Sequence, residues 1–286
     1  MHRFVCKLTI IFVFLSWLAP VFAASEPLQR PFLLAVHPYL PSEEIQRRFT
    51  PLAEYLGRVL GRQVVVRVGQ DYEAHIAAIG TNSVDMAFMG PAPYIKLVQR
   101  YGQKPLLGRI ETNGKPYLSG TIITRTDSSL RSIADLRGKT FAFGDPDSTM
   151  SSLIPRYVLL QAGVPLKALA RYEHLGAHKN VALGVLGGDY DAGAVKIEVF
   201  DEFASRGLRV LAALPPVSEH LFVTRGDMPP EQVRMLREAL LKVKAAPNGE
   251  AIIKAINQEV TGIVPVADRD YDNLRTILHT LEVTRD

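Results

Sequence analysis

The chain has 286 residues, which is long enough for two domains of ordinary size or for one large domain. Hydrophobic residues make up 47% of the chain and charged residues 22%, so disorder, collagen and coiled coil are excluded as descriptions of the whole molecule. The formal net charge is only +4, and no run of Lys and Arg is longer than Arg47-Arg48. The charge pattern therefore gives no sign of nucleic-acid binding.

The N-terminal segment has the three parts of a secretory signal peptide. Arg3 and Lys7 are basic, Leu8 to Leu18 form an apolar stretch, and small residues stand where a cut after Ala23 requires them. A retained membrane anchor is the alternative, but the apolar stretch is about half of the ~20 residues that a spanning helix needs. We predict a signal peptide over residues 1–23 and a mature protein exported to the periplasm.

Several kinds of chemistry have no support in the sequence. The single cysteine, Cys6, lies inside the signal peptide, so the mature chain has no thiol for a disulfide or a metal site. The chain lacks the Gly-x-Ser-x-Gly elbow, the His-Glu-x-x-His zinc motif and the Walker motif. His174 and His178 are four residues apart, but Gly176 between them indicates a turn and not a shared helical face. We expect no metal, no cofactor and no enzymatic activity.

From Arg30 onward, short β-branched runs alternate with amphipathic segments, which is the pattern of βαβ units with a mostly parallel sheet. Ser42 and Asp71 are predicted helix caps. The elements predicted for the first half are strands at 32–36, 63–68 and 86–89 and helices at 42–60, 71–80 and 91–101.

The second half shows the same alternation of strands and helices. It begins after an extended stretch, 117–125, that is long enough to cross between two lobes. Its predicted strands are 140–143, 169–173, 192–196, 208–214 and 220–224, and its predicted helices are 132–136, 148–162, 178–186, 199–205, 229–244 and 268–281. We predict an α/β fold in which residues 24–122 plus 225–286 form lobe 1 and residues 123–224 form lobe 2. Two lobes joined by two crossings make a cleft, where small ligands bind.

The strongest local signal is the segment Phe143 to Ser152, a strand end followed by a polar turn that opens a helix. Ser148 and Thr149 supply hydroxyl groups where the first backbone N–H groups of the helix are unpaired and the helix dipole favours an anion. An oxyanion fits this arrangement. The alternative is that Ser148 is an ordinary N-cap.

Two tyrosines in the first lobe also follow strands. Tyr39 comes after the first strand, and Tyr94 lies in the first helical turn after Gly90-Pro91. Each has the alternative of packing at the rim with a solvated hydroxyl. Both lie at the carboxyl ends of strands, where ligands bind in open α/β sheets, so we interpret them as ligand-binding candidates.

These residues resemble the PhnD-like family, the periplasmic solute-binding proteins of phosphate, phosphite and phosphonate ABC importers. The similar segments are spread over most of the mature chain and keep the family's order and spacing. They read PLAEYLGRVLG, VDMAFMGPAPY, LRGKTFAFGDPDSTMSSLIP, HLGAHKN and GDYDAGAVKIEVF. The resemblance implies a two-lobe type II periplasmic binding protein fold with a hinged cleft.

The resemblance also implies which residues contact the ligand oxygens. These are the hydroxyl pair at the helix start of the second lobe, two tyrosines of the first lobe, a tyrosine after the first lobe and the histidine of a Gly-x-His segment: Ser148, Thr149, Tyr39, Tyr94, Tyr117 and His178. Hydroxyl groups and an imidazole can donate to phosphonate oxygens without a full counter-charge.

The sequence departs from the family pattern at two positions near the predicted site. Met150 replaces a third hydroxyl, and Lys179 stands where an acidic or amide residue is common. If Lys179 faces the cleft it disfavours a ligand amine; the alternative is a solvated lysine. Glu198 and Glu219 fall near the position of an acidic residue that recognises ligand amines in the family, with an uncertain alignment.

The predicted function is capture of a small phosphorus oxyanion by cleft closure and its delivery to an inner-membrane ABC permease. One alternative is that the same fold senses a ligand for a membrane signalling protein. A second alternative is a periplasmic enzyme, for which Ser148 and His178 are the one candidate pair of nucleophile and base.

Overall fold

The structure is a computed structural model that describes residues 1–2 and 30–284. The compact body of the protein begins at Pro31. The predicted signal peptide lies outside the described residues, apart from its first two.

Helices and strands alternate along most of the body. The α-helices are α1 Ser42–Leu60, α2 Tyr72–Gly80, α3 Pro91–Tyr101, α4 Ile154–Gln161, α5 His178–Gly187, α6 Ile197–Ala204, α7 Pro230–Leu241, α8 Gly249–Ile256 and α9 Asp272–Thr284. Short 3-10 helices lie at Ile133–Leu136, Leu166–Ala168, Val243–Ala245 and Asp268–Tyr271, and a π-helical turn at Thr149–Leu153. The strands are β1 Phe32–Val36, β2 Val64–Val68, β3 Met86–Met89, β4 Leu106–Thr112, β5 Tyr117–Leu118, β6 Gly120–Arg125, β7 Thr140–Phe143, β8 Arg171–His174, β9 Ala192–Lys196, β10 Leu208–Ala213, β11 Val217–Ser218, β12 Leu221–Thr224 and β13 Val260–Val264.

Two mixed sheets form the cores of two lobes. The first has the strand order β13-β4-β12-β3-β1-β2, and the second has the order β10-β6-β9-β7-β8. In the first sheet β1 runs parallel to β2 and β3, while β12, β4 and β13 are added antiparallel. In the second sheet β7 is parallel to β8 and β9, while β6 and β10 are antiparallel. The predicted α/β class is confirmed, but the mostly parallel sheet is not.

The two crossings between the sheets pair with each other. β5 and β11 form a short antiparallel ribbon, in which Leu118 is opposite Val217. The predicted lobe boundaries, 122/123 and 224/225, fall within β6 and at the end of β12. The structure places all of β6 in the second sheet and all of β12 in the first, so the chain changes sheet a few residues before each predicted boundary. Ladder hydrogen bonds hold every residue of such a strand in one sheet, so a boundary falls beside a strand and not within it.

Local sequence explains how the first helices begin and end. The Asp71 side chain accepts a hydrogen bond of 2.7 Å from the Ala74 amide, which confirms the predicted cap of α2. Ser42 is instead the first residue of α1, and Pro41 takes the cap position with no side-chain hydrogen bond. Gly61, with φ of +64°, ends α1 in the left-handed conformation that glycine adopts at low cost.

The buried apolar faces of the helices cover both sheets. In α1, Ile45, Phe49, Leu52 and Leu56 are fully buried against the first sheet. Within residues 30–284, no helix is both long enough and apolar enough to cross a bilayer.

Candidate functional site

The carboxyl ends of strands from both sheets converge on a small cavity. β1 and β3 lead into it from the first lobe, and β7 and β9 lead into it from the second. The cavity offers about 10 Å³ to the centres of water molecules, enough for about one. It is lined by His37, Tyr39, Tyr72, Gly90, Leu118, Ser148, Thr149, Met150, His178, Lys196 and His220.

Ser148 lies at the centre of a group of hydrogen-bond donors. Its Oγ accepts from the Ser151 hydroxyl at 2.8 Å and from the Ser151 amide at 3.4 Å, so Ser148 caps the π-helical turn and also lines the cavity. Ser148 is therefore an N-cap, and this role does not remove it from the cavity wall. Because Ser151 donates its own hydroxyl hydrogen, the Ser148 hydrogen remains available to donate.

Thr149 connects the two lobes. Its Oγ1 accepts a hydrogen bond of 3.0 Å from the Ala92 amide at the start of α3. The Thr149 hydroxyl hydrogen is then free to donate into the cavity. The N-terminus of α3 in the first lobe and the π-helical turn of the second lobe are thus joined at the Thr149 hydroxyl.

Hydrogen bonding fixes the tautomer of His178. Its Nδ1 accepts the Lys196 amide at 3.0 Å, so Nδ1 carries no proton. Burial, assisted by the charge of Lys196, lowers the pKa of His178 to about 3, so the ring is neutral and its one proton is on Nε2. Nε2 lies 3.2 Å from the Ser148 Oγ and donates to it or to a ligand oxygen.

Three further histidines lie beside the cavity or behind it. His37 stacks on His220 at 5.0 Å between ring centroids, and His75 is 5.9 Å from His37. Burial, followed by the neighbouring imidazoles, lowers the pKa of His37 well below its ordinary value, and burial lowers the pKa of His75 to about 4. The His37 Nδ1 donates to the Phe88 carbonyl at 3.2 Å, which leaves Nε2 of this neutral ring as a hydrogen-bond acceptor.

Lys196 supplies the positive charge of the cavity. This buried side chain at the end of β9 places its Nζ 4.1 Å from the centroid of the Tyr39 ring, and it forms an ion pair with Glu198. Glu198 also pairs with Arg48 of the first lobe. Burial would raise the pKa of Glu198, but Lys196 and Arg48 together lower it to about 2. One carboxylate, Glu198, therefore faces two cations, Arg48 and Lys196. Its single negative charge does not cancel both positive charges, so the cavity keeps a net positive charge at Lys196.

The structure brings four of the six predicted site residues to the cavity: Tyr39, Ser148, Thr149 and His178. Tyr117 is 53% exposed and lines a wider cleft beside the cavity. Tyr94 lines neither the small cavity nor the wider cleft. Its ring is fully buried against Tyr271 and its hydroxyl donates to Asp268 at 2.6 Å, because α3 turns this residue away from the strand ends and toward the 3-10 helix Asp268–Tyr271.

Of the two alternatives for Lys179, a position facing the ligand is not observed, because the side chain does not line the cavity. Its Nζ lies 2.9 Å from the Glu44 carboxylate and 3.0 Å from that of Glu202. One residue along a helix turns the side chain by roughly 100°, so the neighbour of His178 points away from the cavity and toward Glu44 of the other lobe. Met150 does line the cavity, as its position in the sequence indicates.

Sequence reasoning missed His37, Lys196 and His220. His37 and Lys196 end β1 and β9 or follow them directly, so the rule that selected Tyr39 would also have selected these two. His220 precedes β12, whose Leu221 is paired antiparallel with Met89 at the end of β3. An antiparallel strand starts where its parallel neighbours end, and this pairing could not be seen in the sequence.

The lobes contact each other around the cavity. Lys179 of α5 pairs with Glu44 of α1, Arg48 pairs with Glu198, and Lys96 pairs with Asp147. These pairs and the bond from Ala92 to Thr149 join the two lobes in a closed arrangement. In residues 30–284, no group of three or more His, Cys, Asp or Glu side chains is arranged to hold a metal ion.

Two α/β lobes that close on a small cavity of hydroxyl, imidazole and ammonium donors define a solute-binding protein. The model of the family described as "ABC transporter, phosphonate, periplasmic substrate-binding protein" matches residues 34–271, and the chain belongs to this family. The "Phosphate-import protein PhnD" of Mycolicibacterium smegmatis is 26% identical over 93% of this chain and 89% of that protein.

Solved structures share the fold. A binding protein component of an ABC phosphonate transporter from Pseudomonas aeruginosa has a TM-score of 0.78 and 22% identity, covering 86% of this chain and 85% of that one. PhnD1 from Prochlorococcus marinus, solved in complex with methylphosphonate, has a TM-score of 0.80 and 18% identity, covering 88% of this chain and 98% of that one. The predicted periplasmic binding fold is confirmed.

Proposed function

We propose that the protein captures a phosphorus oxyanion between its lobes, with an oxygen of the ligand in the small cavity. The observation that supports this most is the set of converging donors: the hydroxyls of Ser148 and Thr149, Nε2–H of neutral His178, and the ammonium of Lys196. A buried anion needs every oxygen to accept hydrogen bonds, and these groups come from both lobes.

The acceptor atom of His37 favours phosphorus over sulfur. Phosphate, phosphite and phosphonate carry an acidic proton near neutral pH, whereas sulfate does not. Nε2 of neutral His37 accepts a hydrogen bond from a protonated oxygen and repels an unprotonated one. A cavity that contains donors and the acceptor nitrogen of His37 therefore fits a proton-bearing oxyanion.

Binding is coupled to closure of the cleft. The first lobe supplies His37 and Tyr39, and the second supplies Ser148, Thr149 and Lys196. A ligand that contacts both sets binds the closed state better than the open state, and this difference in affinity is what closes the cleft. The β5 and β11 ribbon that joins the lobes is the hinge.

A periplasmic solute-binding protein delivers its ligand to a membrane partner. We infer that the chain is exported by the N-terminal segment and that the closed form docks on an inner-membrane ABC permease. Family membership supports both inferences. The related proteins have names that specify phosphate import, phosphonate binding and phosphite binding, and phosphonate, phosphite and phosphate are the ligands we propose to test.

The pair of Ser148 and His178 does not have the arrangement of a hydrolase. A serine nucleophile must give its proton to an unprotonated imidazole nitrogen, but Nε2 of His178 already carries the proton. In addition, the group that orients Nδ1 is a backbone N–H and not a carboxylate. This geometry favours binding over catalysis.

The test is isothermal titration calorimetry with phosphate, phosphite, methylphosphonate and sulfate. Changing Ser148 and Thr149 together to alanine removes two charge-assisted hydrogen bonds, each worth ~1.5 to 3 kcal/mol, so affinity for the best ligand should fall at least ~100-fold. The control is Thr276→Ala with Thr280→Ala on α9, whose hydroxyls donate only to helix carbonyls. Unchanged affinity in a folded Ser148 and Thr149 variant contradicts the assignment, and tighter binding of sulfate contradicts the role of His37.

A further inference from the structure

His220 lies on the first-lobe side of the small cavity, where neighbouring rings fix its orientation. Its ring stacks on Phe88 at 5.2 Å and on His37 at 5.0 Å between centroids. The side chain is buried, and it lines both the small cavity and the wider cleft. A ligand oxygen in the cavity therefore meets this imidazole in a fixed orientation.

A carboxylate determines which nitrogen of His220 carries the proton. Oε1 of Glu219 lies 2.5 Å from Nδ1 of His220 and also accepts the His220 amide at 2.9 Å. A carboxylate only accepts hydrogen bonds, so Nδ1 carries a proton and Nε2 of the neutral ring carries none. A Cβ atom on Gly90 would lie 3.6 Å from this Nε2, so the nitrogen faces a part of the cavity wall that has no side chain.

Glu219 is a buried carboxylate that needs a positive charge. Its side chain is 8% exposed, and Oε2 lies 3.5 Å from the Thr112 hydroxyl. Within residues 30–284, the ion-pair partner of Glu219 is His220 and no other residue. A buried carboxylate is costly unless a cation faces it. A second proton on the His220 ring supplies that cation.

The charged and titratable groups around His220 come from both lobes. They are Glu219 beside it, His37 and Tyr39 after β1, Arg109 of β4, Tyr271, Lys115 and Glu259 of the wider cleft, and Lys196, Glu198 and His178 of the second lobe. Lys196 and the neighbouring imidazoles oppose a further positive charge at His220 when no anion is bound. An anion in the cavity offsets these positive charges.

The other imidazoles of the cavity are held neutral. Burial, followed by the neighbouring imidazoles, lowers the pKa of His37 well below its ordinary value. Burial, followed by Lys196 and His220, lowers the pKa of His178 to about 3. Nδ1 of His37 contacts the Phe88 carbonyl, and Nδ1 of His178 contacts a backbone amide. Among the described residues neither ring forms a hydrogen bond with a carboxylate, so His220 is the imidazole at which a proton is stabilised.

Building on the proposed function, we propose that the oxyanion binds together with a proton, which Nε2 of His220 takes from solvent. The new Nε2–H donates to a ligand oxygen, and no bond of the ligand changes. Glu219 is a positioning residue that stabilises the protonated ring from its Nδ1 side. Because binding and proton uptake are linked, each favours the other, and the affinity for the ligand is higher in acid than in alkaline solution.

Calorimetry with methylphosphonate in buffers of different ionisation enthalpy measures the protons taken up for each ligand bound. The ligand itself titrates near neutral pH, so the parent protein and the variants are compared with the same ligand at the same pH. His220→Gln cannot titrate, and at pH 7.5 it should take up at least ~0.3 proton less than the parent protein. By linkage, the affinity of the parent protein should then fall about twofold more steeply per pH unit than that of the variant.

Glu219→Gln separates the charge of Glu219 from its hydrogen bond. The amide oxygen of glutamine still accepts from Nδ1, so the ring stays in place, but the charge that stabilises the protonated ring is lost. Proton uptake should therefore fall as it does in His220→Gln. Glu259→Gln is the matched control, because Glu259 lines the wider cleft and is not the ion-pair partner of His220. This control should take up as many protons as the parent protein.

The outcomes separate this inference from the proposed function. If methylphosphonate, phosphite and phosphate all fail to bind the parent protein, the proposed function fails and the inference fails with it. If methylphosphonate binds and His220→Gln takes up as many protons as the parent protein, oxyanion capture stands and the inference is overturned. If His220→Gln does not fold, Glu219→Gln decides, and uptake equal to that of the parent protein overturns the inference. An equal loss of uptake in Glu259→Gln overturns the role of Glu219.

Discussion

A buried, neutral imidazole makes the free energy of unfolding depend on pH. His75 is 1% exposed, and burial lowers its pKa from 6.5 to about 4. Between these two pH values the unfolded chain binds a proton at His75 and the folded protein does not. The free energy of unfolding therefore decreases as the pH falls from 6.5 toward 4, by roughly 1.4 kcal/mol per pH unit for each such proton.

Replacing His75 by glutamine should remove this contribution. Urea denaturation of His75→Gln at pH 7, 6 and 5 should show a loss of stability on acidification that is smaller than that of the parent protein by up to ~2 kcal/mol at pH 5. The exposed His279→Gln is the matched control and should follow the parent curve. Parallel curves for His75→Gln and the parent would show that His75 is not held neutral.

The site residues differ in how visible they were in the sequence. Ser148, Thr149 and Tyr39 follow strands within about six residues, so the local pattern places them at strand ends and the resemblance to the family selects them as ligand contacts. Tyr94 fitted the same pattern but its hydroxyl is bound by Asp268, 174 residues further along the chain. A local pattern shows at which edge of the sheet a residue lies. It does not show which side chain from a distant part of the sequence forms a hydrogen bond with that residue.

At the scale of elements, the turn from β7 into the π-helical turn depends on a missing side chain. A Cβ atom on Gly144 would lie 1.9 Å from the Ser151 Oγ and 3.0 Å from the Gly176 carbonyl oxygen. Ser151 also donates its hydroxyl to Ser148. Any side chain at Gly144 therefore disturbs the group of hydroxyls that lines the cavity.

Gly144→Ala should destabilise the protein by ~1 to 3 kcal/mol and also weaken oxyanion binding, because Ser151 and then Ser148 must move. Gly187→Ala is the control, since a Cβ atom there meets nothing closer than the Asp189 carboxylate at 3.6 Å and alanine favours the helix. Thermal unfolding and calorimetry measure the two effects. Binding at the parent affinity by Gly144→Ala would show that the hydroxyl positions do not depend on this turn.

The elements that sequence reasoning found are those with a regular pattern. β1, β3 and β7 are buried apolar strands, and their predicted bounds agree with the structure. β4, α8 and β13 were not predicted. β4 contains Gly108, where a Cβ atom would lie 2.8 Å from the Ile263 side chain of β13, so close packing of the two strands requires a residue that interrupts the apolar pattern.

Closure of the whole molecule rests on contacts that join residues far apart in sequence. Lys179 and Glu44 are 135 positions apart, and Arg48 and Glu198 are 150 apart. Two sheets and a cleft follow from alternating strands and helices, which local pattern reveals. The ion pairs across the cleft depend on the orientation of one lobe on the other, which no local pattern contains.

These ion pairs stabilise the closed state whether or not a ligand is bound. The Lys179 and Glu44 side chains are 19% and 15% exposed, so solvent screens their attraction only in part. Apparent affinity is the intrinsic affinity multiplied by the closed fraction, so loss of a pair weakens binding of every ligand by the same factor. Substitutions in the cavity, in contrast, change the ratio between ligands.

Lys179→Met should therefore lower the affinity for phosphite and for methylphosphonate by the same factor, between one and about fivefold for a loss of about 1 kcal/mol, since the factor depends on the closed fraction of the ligand-free parent. Small-angle X-ray scattering should show a larger radius of gyration for the ligand-free variant than for the parent protein. Lys254→Met is the matched control, because the partner of Lys254 is Glu250 of the same helix and this pair does not join the lobes. A change in the ratio of the two affinities would instead place Lys179 at the ligand, and unchanged affinities together with an unchanged radius of gyration would show that this pair does not set the closed fraction.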